Sequence, residues 1–136
     1  MPQIMIIDDS PTDTHILKKI LEKNGYQTVT AENGDEGIEV ARREKPALIL
    51  MDVVMPGMDG FDVLERMRAN PQTLTVPVVI LTSKVLNLDD IKRIEQHTQV
   101  VVQNKGVLTN DEIVATLHRT LFDTESLPPQ ISMLVK

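Results

Sequence analysis

The sequence predicts a doubly wound α/β domain: a five-stranded parallel sheet in the order 2-1-3-4-5, with helices on both faces. Three observations carry that expectation. Short apolar runs alternate five times with helix-period segments along the 136 residues. The strand-like runs are continuously apolar instead of alternating, as strands buried on both sheet faces should be. The breaks between segments hold caps and tight turns, with no internal repeat or low-complexity tract.

The elements follow in order. Residues 3–7 (QIMII) read as the first strand, stopped by Asp8-Asp9-Ser10-Pro11. Ser10 suits an N-cap and Pro11 the first helical turn. Ile16, Leu17, Ile20 and Leu21 then make one apolar helix face, which Asn24-Gly25 ends. Residues 27–31 (QTVTA) form strand two. Asn33-Gly34 opens helix two, with Ile38 and Ala41 inward, and the helix ends before Pro46. Strand three is 47–51. Helix three begins near Gly60, presents Phe61, Leu64 and Met67, and stops at Asn70-Pro71. Strand four is 78–81. Leu88, Ile91 and Ile94 stripe a helix over 88–97, strand five is 100–103, and Ile113, Val114, Leu117 and Leu121 share a face of helix 110–122. Residues 1–123 are therefore expected to be one domain and 124–136, with Pro128-Pro129, a tail or linker.

Composition narrows the function. The formal net charge is −6 and no Lys/Arg cluster occurs, which argues against nucleic acid as a partner. Tyr26, Phe61 and Phe122 are the only aromatic residues, too few for base stacking. The chain has no cysteine, which excludes thiolate chemistry and disulfides. Its apolar runs fall far short of the ~18–20 residues a membrane helix needs, and its first residues lack a signal-peptide pattern. A soluble cytoplasmic protein with no membrane partner is expected.

The polar residues at strand ends are the informative ones. Strand one ends in Asp8-Asp9, strand three in Asp52, strand four in Thr82-Ser83, and strand five near Lys105. Ligands of open α/β sheets bind outside the carboxyl ends of the strands, at the switch in strand order. In the order 2-1-3-4-5, Asp8, Asp9 and Asp52 converge there, with Thr82 and Lys105 beside them. Several carboxylates so close repel unless a proton or cation intervenes. An oxygen-only donor set suits a hard cation such as Mg²⁺. A carboxylate, a divalent cation, a hydroxyl and a lysine together make a site for phosphoryl transfer onto the carboxylate. The turn Met55-Pro56-Gly57 leads the chain away from Asp52 without covering it and leaves the Val54 carbonyl free to face a metal.

The motifs "IMIIDDS", "LILMDVVMPGMDGFDVL" and "PVVILTSK", with Lys105 after strand five, resemble the receiver domain of two-component response regulators over residues 3–122. The resemblance implies a flavodoxin-like fold and a phosphorylation-operated switch, not a turnover enzyme. It implies that Asp52 accepts a phosphoryl group from a histidine kinase or phosphotransfer protein. Asp8, Asp9, Asp52 and Val54 would serve Mg²⁺, Lys105 would contact the phosphoryl group, and Thr82 would move to hydrogen-bond it. A downstream protein would read the face made by helix four, strand five and helix five. The sequence departs from the common pattern at Lys105-Gly106, where Lys-Pro is usual; Lys-Gly is like receivers in hybrid histidine kinases. Val102 stands where an aromatic switch residue is usual. Val54 and Lys84 occupy positions that tune dephosphorylation in that family, and an apolar Val54 predicts a long-lived phosphoryl group.

Three other readings fit less well. A haloacid-dehalogenase-like phosphatase wants a second acid where Val54 stands. A flavin binder wants a hydroxyl-rich loop where Asp8-Asp9 would repel phosphate. A degenerate receiver acting only as a docking module would have no use for Asp9, Asp52, Thr82 and Lys105 together.

Overall fold

A computed structural model describes residues 2–105 and 109–122, together with the backbone of 130–131. The strands are β1 (Gln3–Ile7), β2 (Gln27–Ala31), β3 (Leu48–Met51), β4 (Val78–Thr82), β5 (Val100–Asn104) and β6 (Gln130–Ile131). The helices are α1 (Pro11–Lys23), α2 (Gly34–Glu44), α3 (Gly60–Arg68), α4 (Leu88–Glu95) and α5 (Asn110–Phe122). The sheet is parallel and runs β2-β1-β3-β4-β5-β6. The expected five-strand order is thus present, and a two-residue sixth strand joins the edge of β5 from within the segment read as a tail. Gly106, where the sequence departs from Lys-Pro, lies outside the described residues.

The continuously apolar strands β1, β3 and β4 bury both faces, as their pattern requires, whereas the more polar edge strand β2 is mostly half-buried. Met5, Ile7, Ile49, Met51, Val78 and Ile80 face one layer, packed with Val40 and Ala41 of α2, Phe61, Leu64 and Met67 of α3, and Ile94 of α4. Ile4, Ile6, Leu48, Leu50, Val79 and Leu81 face the other, with Leu17 and Leu21 of α1 and Ile113 and Leu117 of α5. Each fully buried aliphatic side chain contributes about 1.5–3 kcal/mol of hydrophobic stabilisation.

Some predicted helix faces are rotated. Ile16 and Leu88 are exposed, Leu88 with its side chain in solvent at the start of α4. Leu17 and Leu21 alone define the buried stripe of α1. On α5 the inward positions include Thr116 and Thr120, whose hydroxyls donate to the Glu112 and Thr116 carbonyls. A buried threonine can satisfy itself on its own helix. Apolar periodicity therefore misses it.

The register sets the level at which the functional side chains leave the sheet. Ile7 pairs with Ala31 and Met51, and Thr82 with Asn104. The ladder continues one residue further: the Asp8 N–H donates to Ala31, Asp52 to Ile7, and Lys105 to Thr82, at 3.1, 3.1 and 2.9 Å. Asp8, Asp52 and Lys105 are thereby fixed at one rim.

Candidate phosphoacceptor site

Each side of the site is built by a local sequence device. Ser10 caps α1 by accepting the Asp13 N–H, and its own N–H donates to Asp8 Oδ1 at 2.9 Å. That pair ties the first turn of α1 to the end of β1. After β3, the loop returns so closely that a Cβ on Gly60 would stand 2.6 Å from Val53 Cα and 2.7 Å from the Asp52 carbonyl oxygen. Only glycine permits this approach of α3 to the loop. Asp59 then caps α3 in a reciprocal box with Asp62.

Asp52 projects from the end of central strand β3, and its Oδ1 accepts the Val54 N–H at 3.0 Å. Its Oδ2 lies 3.2 Å from Lys105 Nζ. The same ammonium is 3.1 Å from Asp8 Oδ2 and 2.6 Å from Asp13 Oδ2. An ammonium has three N–H donors, and these three carboxylates can take all of them. Burial disfavours the charge on Lys105, but the hydrogen bonds it donates to Asp13 and Asp8 and the charge of Asp52 hold its pKa well above the ordinary lysine value. Asp8 is 4% exposed. Burial pushes its carboxyl pKa up, and the Asp52 charge adds to that, against the lowering effects of Ser10 and Lys105.

The remaining predicted residues are placed differently. Thr82 is fully buried at the end of β4, and its hydroxyl accepts the Lys84 N–H at 3.1 Å. Accepting that bond leaves the hydroxyl proton able to donate elsewhere. Asp9 is exposed and lines a groove of about 230 Å³ with Asp8, His15 and Glu32, on the β2 side. Val54 turns its side chain to solvent, 57% exposed. Val102 is fully buried in the core. Among the described residues no three His, Asp or Glu side chains form a ready-made metal cage. The donor set still fits a hard cation. Asp8 and Asp52 already share one cationic partner, and every donor is oxygen. Asp13 was not anticipated: a single acid in the first turn of a helix looks like a dipole partner, and only the fold brings it to Lys105.

Beyond the site, Lys84 Nζ pairs with Asp90 Oδ2 at 3.2 Å. Asp90 is buried and forms the capping box of α4 with Asn87. Arg93 of α4 pairs with Asp62 and Glu65 of α3, at 3.0 and 2.8 Å, and its guanidinium lies over the Phe61 ring. The loop holding Thr82 is thus wired to the start of α4, and α4 to α3.

Comparison with known proteins agrees with this geometry. The family model for the response regulator receiver domain matches residues 4–118. Protein PilH of Pseudomonas aeruginosa is 44% identical over 91 residues, covering 67% of this chain and 75% of that protein. Other curated relatives are longer; the chain spans about half of some of them, such as the transcriptional regulatory protein AfsQ1 of Streptomyces coelicolor, at 52%. The receiver domain of a signal transduction histidine kinase from Syntrophus aciditrophicus has 33% identity and a TM-score of 0.79, with 93% of this chain and 97% of that one covered. The chain belongs to the response regulator receiver domain family, the phosphorylation-operated signalling switches of two-component systems.

Proposed function

We propose that Asp52 is the phosphoacceptor, charged by a histidine kinase or phosphotransfer protein with the help of Mg²⁺. The observation that carries this reading is the ammonium of Lys105 resting 3.2 Å from Asp52 Oδ2 at the rim of the central strand. In the transfer, a carboxylate oxygen of Asp52 forms a bond to phosphorus while the phosphorus–nitrogen bond of the donor phosphohistidine breaks and the imidazole keeps the electron pair. Lys105 is within reach to pair with the incoming phosphoryl oxygens, and the Thr82 hydroxyl can donate to another. Asp8, Asp9, Asp52 and the Val54 carbonyl would hold the metal, which when bound neutralises charge on the phosphoryl oxygens. The chain acts on its own aspartate and is not a turnover enzyme.

Output would run from Thr82 through Lys84 and Asp90 to the face of α4, β5 and α5, where a downstream protein docks. With Val102 locked in the core, this polar route replaces an aromatic flip. The domain comprises residues 1–123, followed by a tail or linker over 124–136 from which Gln130–Ile131 adds to the edge of β5, and it works in the cytoplasm. No helix among the described residues is long and apolar enough to cross a membrane. The apolar, exposed Val54 cannot orient an attacking water, so the phosphoryl group is long-lived.

The test is incubation with acetyl phosphate and Mg²⁺, read by intact mass. The wild type gains one phosphoryl mass and Asp52→Ala gains none. Equal modification of both proteins, or none of either, contradicts the assignment. Loss of the group within seconds contradicts the long lifetime alone.

A further inference from the structure

The shortest contact of Lys105 is with Asp13, which belongs to no strand end. At 2.6 Å it is closer than either Asp8 or Asp52. Its carboxylate side chain is 39% exposed, whereas those of Asp8 and Asp52 are 4% and 13% exposed. Asp13 also stands beside the mouth of a cavity of about 160 Å³ between α1 and α5, lined by Ile16, Ile20, Leu81 and Ile113 as well as Asp13 and Lys105. This leaves room on the Asp13 side of Lys105. The apolar walls weaken solvent screening of an ion pair formed there. The backbone on both sides is fixed, Lys105 by its N–H bond to Thr82 and Asp13 by the Ser10 cap.

A divalent cation and an ammonium compete for the same oxygens of Asp8 and Asp52, and they repel each other. The lysine must therefore have somewhere to go when the metal arrives. We propose that Asp13 is a positioning residue for Lys105: it holds the ammonium at the α1–α5 rim when a divalent cation takes Asp8 and Asp52, keeping the lysine charged and close for the phosphoryl group. The inference rests on the phosphoacceptor reading of the site. It separates Asp13 from the metal-binding acids, because Asp13 acts through Lys105 and does not touch the metal.

The test is a double-mutant cycle read by Mg²⁺ titration, followed through amide NMR shifts of the unphosphorylated protein. Asp13→Asn removes the parking position, so the ammonium stays on Asp8 and Asp52. Mg²⁺ binding weakens about threefold, the size of one half-exposed ion pair. Asp13→Glu restores it. In a Lys105→Met background, Asp13→Asn changes nothing. An equal loss in both backgrounds means that Asp13 merely adds negative field and overturns the proposal, as does no loss in either. Thermal melts establish that each variant is folded, and Asp13→Ser gives a second reading of the same position. A wild type that takes up neither Mg²⁺ nor beryllofluoride defeats the phosphoacceptor reading itself. A wild type that takes up both, with a flat response to Asp13→Asn, defeats only the role of Asp13.

Discussion

Lys105 and Arg68 are half-buried cations at opposite ends of the same parallel sheet, and they are held in opposite ways. Lys105, at the carboxyl rim, is surrounded by three side-chain carboxylates. Arg68, at the amino rim, donates to the backbone carbonyls of Thr73, Thr98 and Gln99, each at 3.3 Å. Burial lowers the Arg68 pKa to about 10, with no carboxylate partner among the described residues to raise it. Backbone carbonyls cannot move without unravelling the loops that carry them, so Arg68 is a structural clamp. Carboxylates can exchange one cation for another, so Lys105 belongs to a site that can change state. The difference lies in what the charge holds, not in how deeply it is buried.

The comparison breaks most visibly at Arg68. Arg68→Ala removes the guanidinium that ties the turn after α3 at Thr73 to Thr98 and Gln99 before β5, although the Thr73 and Gln99 carbonyls keep the backbone N–H bonds of Val76 and Val78, and it should cost about 1–3 kcal/mol in urea unfolding. Mg²⁺ should add no more stability to this variant than to the wild type. Recovery of Arg68→Ala by Mg²⁺ would contradict the contrast between the two rims.

Gly60→Ala tests the framework under Asp52. Its methyl group meets backbone atoms at 2.6 and 2.7 Å, which only a shift of the loop relieves. The expected cost is about 1–3 kcal/mol, together with slower acceptance of phosphate from acetyl phosphate. Unchanged stability and unchanged labelling would show that the loop is not held by this contact.

Lys105→Met should be milder, about 1 kcal/mol at neutral pH, because Asp8 can take a proton and a metal can replace the ammonium. Mg²⁺ should therefore stabilise this variant more than it stabilises the wild type, in a thermal melt with and without the ion. The raised pKa of Lys105 means that, while its carboxylate partners are ionised, its contribution is fully present below the unfolded lysine value of about 10.4 and fades as pH rises through the folded value.

The smallest effect is at Asp8, and its sign is opposite. A folded carboxyl with a raised pKa binds its proton more tightly than the unfolded chain does, so its ionised form costs stability at neutral pH. Asp8→Asn should be slightly more stable than wild type at pH 7. The gain should shrink as pH falls through the folded pKa and vanish below the ordinary aspartate value of 3.8. A pH-independent difference would show that Asp8 does not titrate differently on folding.

Much of this was legible in the sequence because parallel sheets write a strong pattern. Four apolar runs, those of β1, β3, β4 and β5, each lead into polar residues and gave the strand order a testable consequence at Asp8, Asp52, Thr82 and Lys105. What escaped was set by tertiary geometry. Asp13 and Arg68 are ordinary helix charges until the fold supplies their partners. Ile16 and Leu88 satisfy a helical period yet face solvent, because the period does not say which side of a helix meets the sheet. The pairing of Gln130–Ile131 with β5 uses backbone groups, so the side-chain pattern around Pro128-Pro129 did not mark it.

The most direct measurement is chemical. The protein is phosphorylated with acetyl phosphate and Mg²⁺, reduced with borohydride to convert any acyl phosphate to an alcohol, and mapped by peptide mass spectrometry. Conversion confined to Asp52 is the predicted result. Conversion at another carboxylate, or none when the protein is folded and Mg²⁺ is present, would contradict the account.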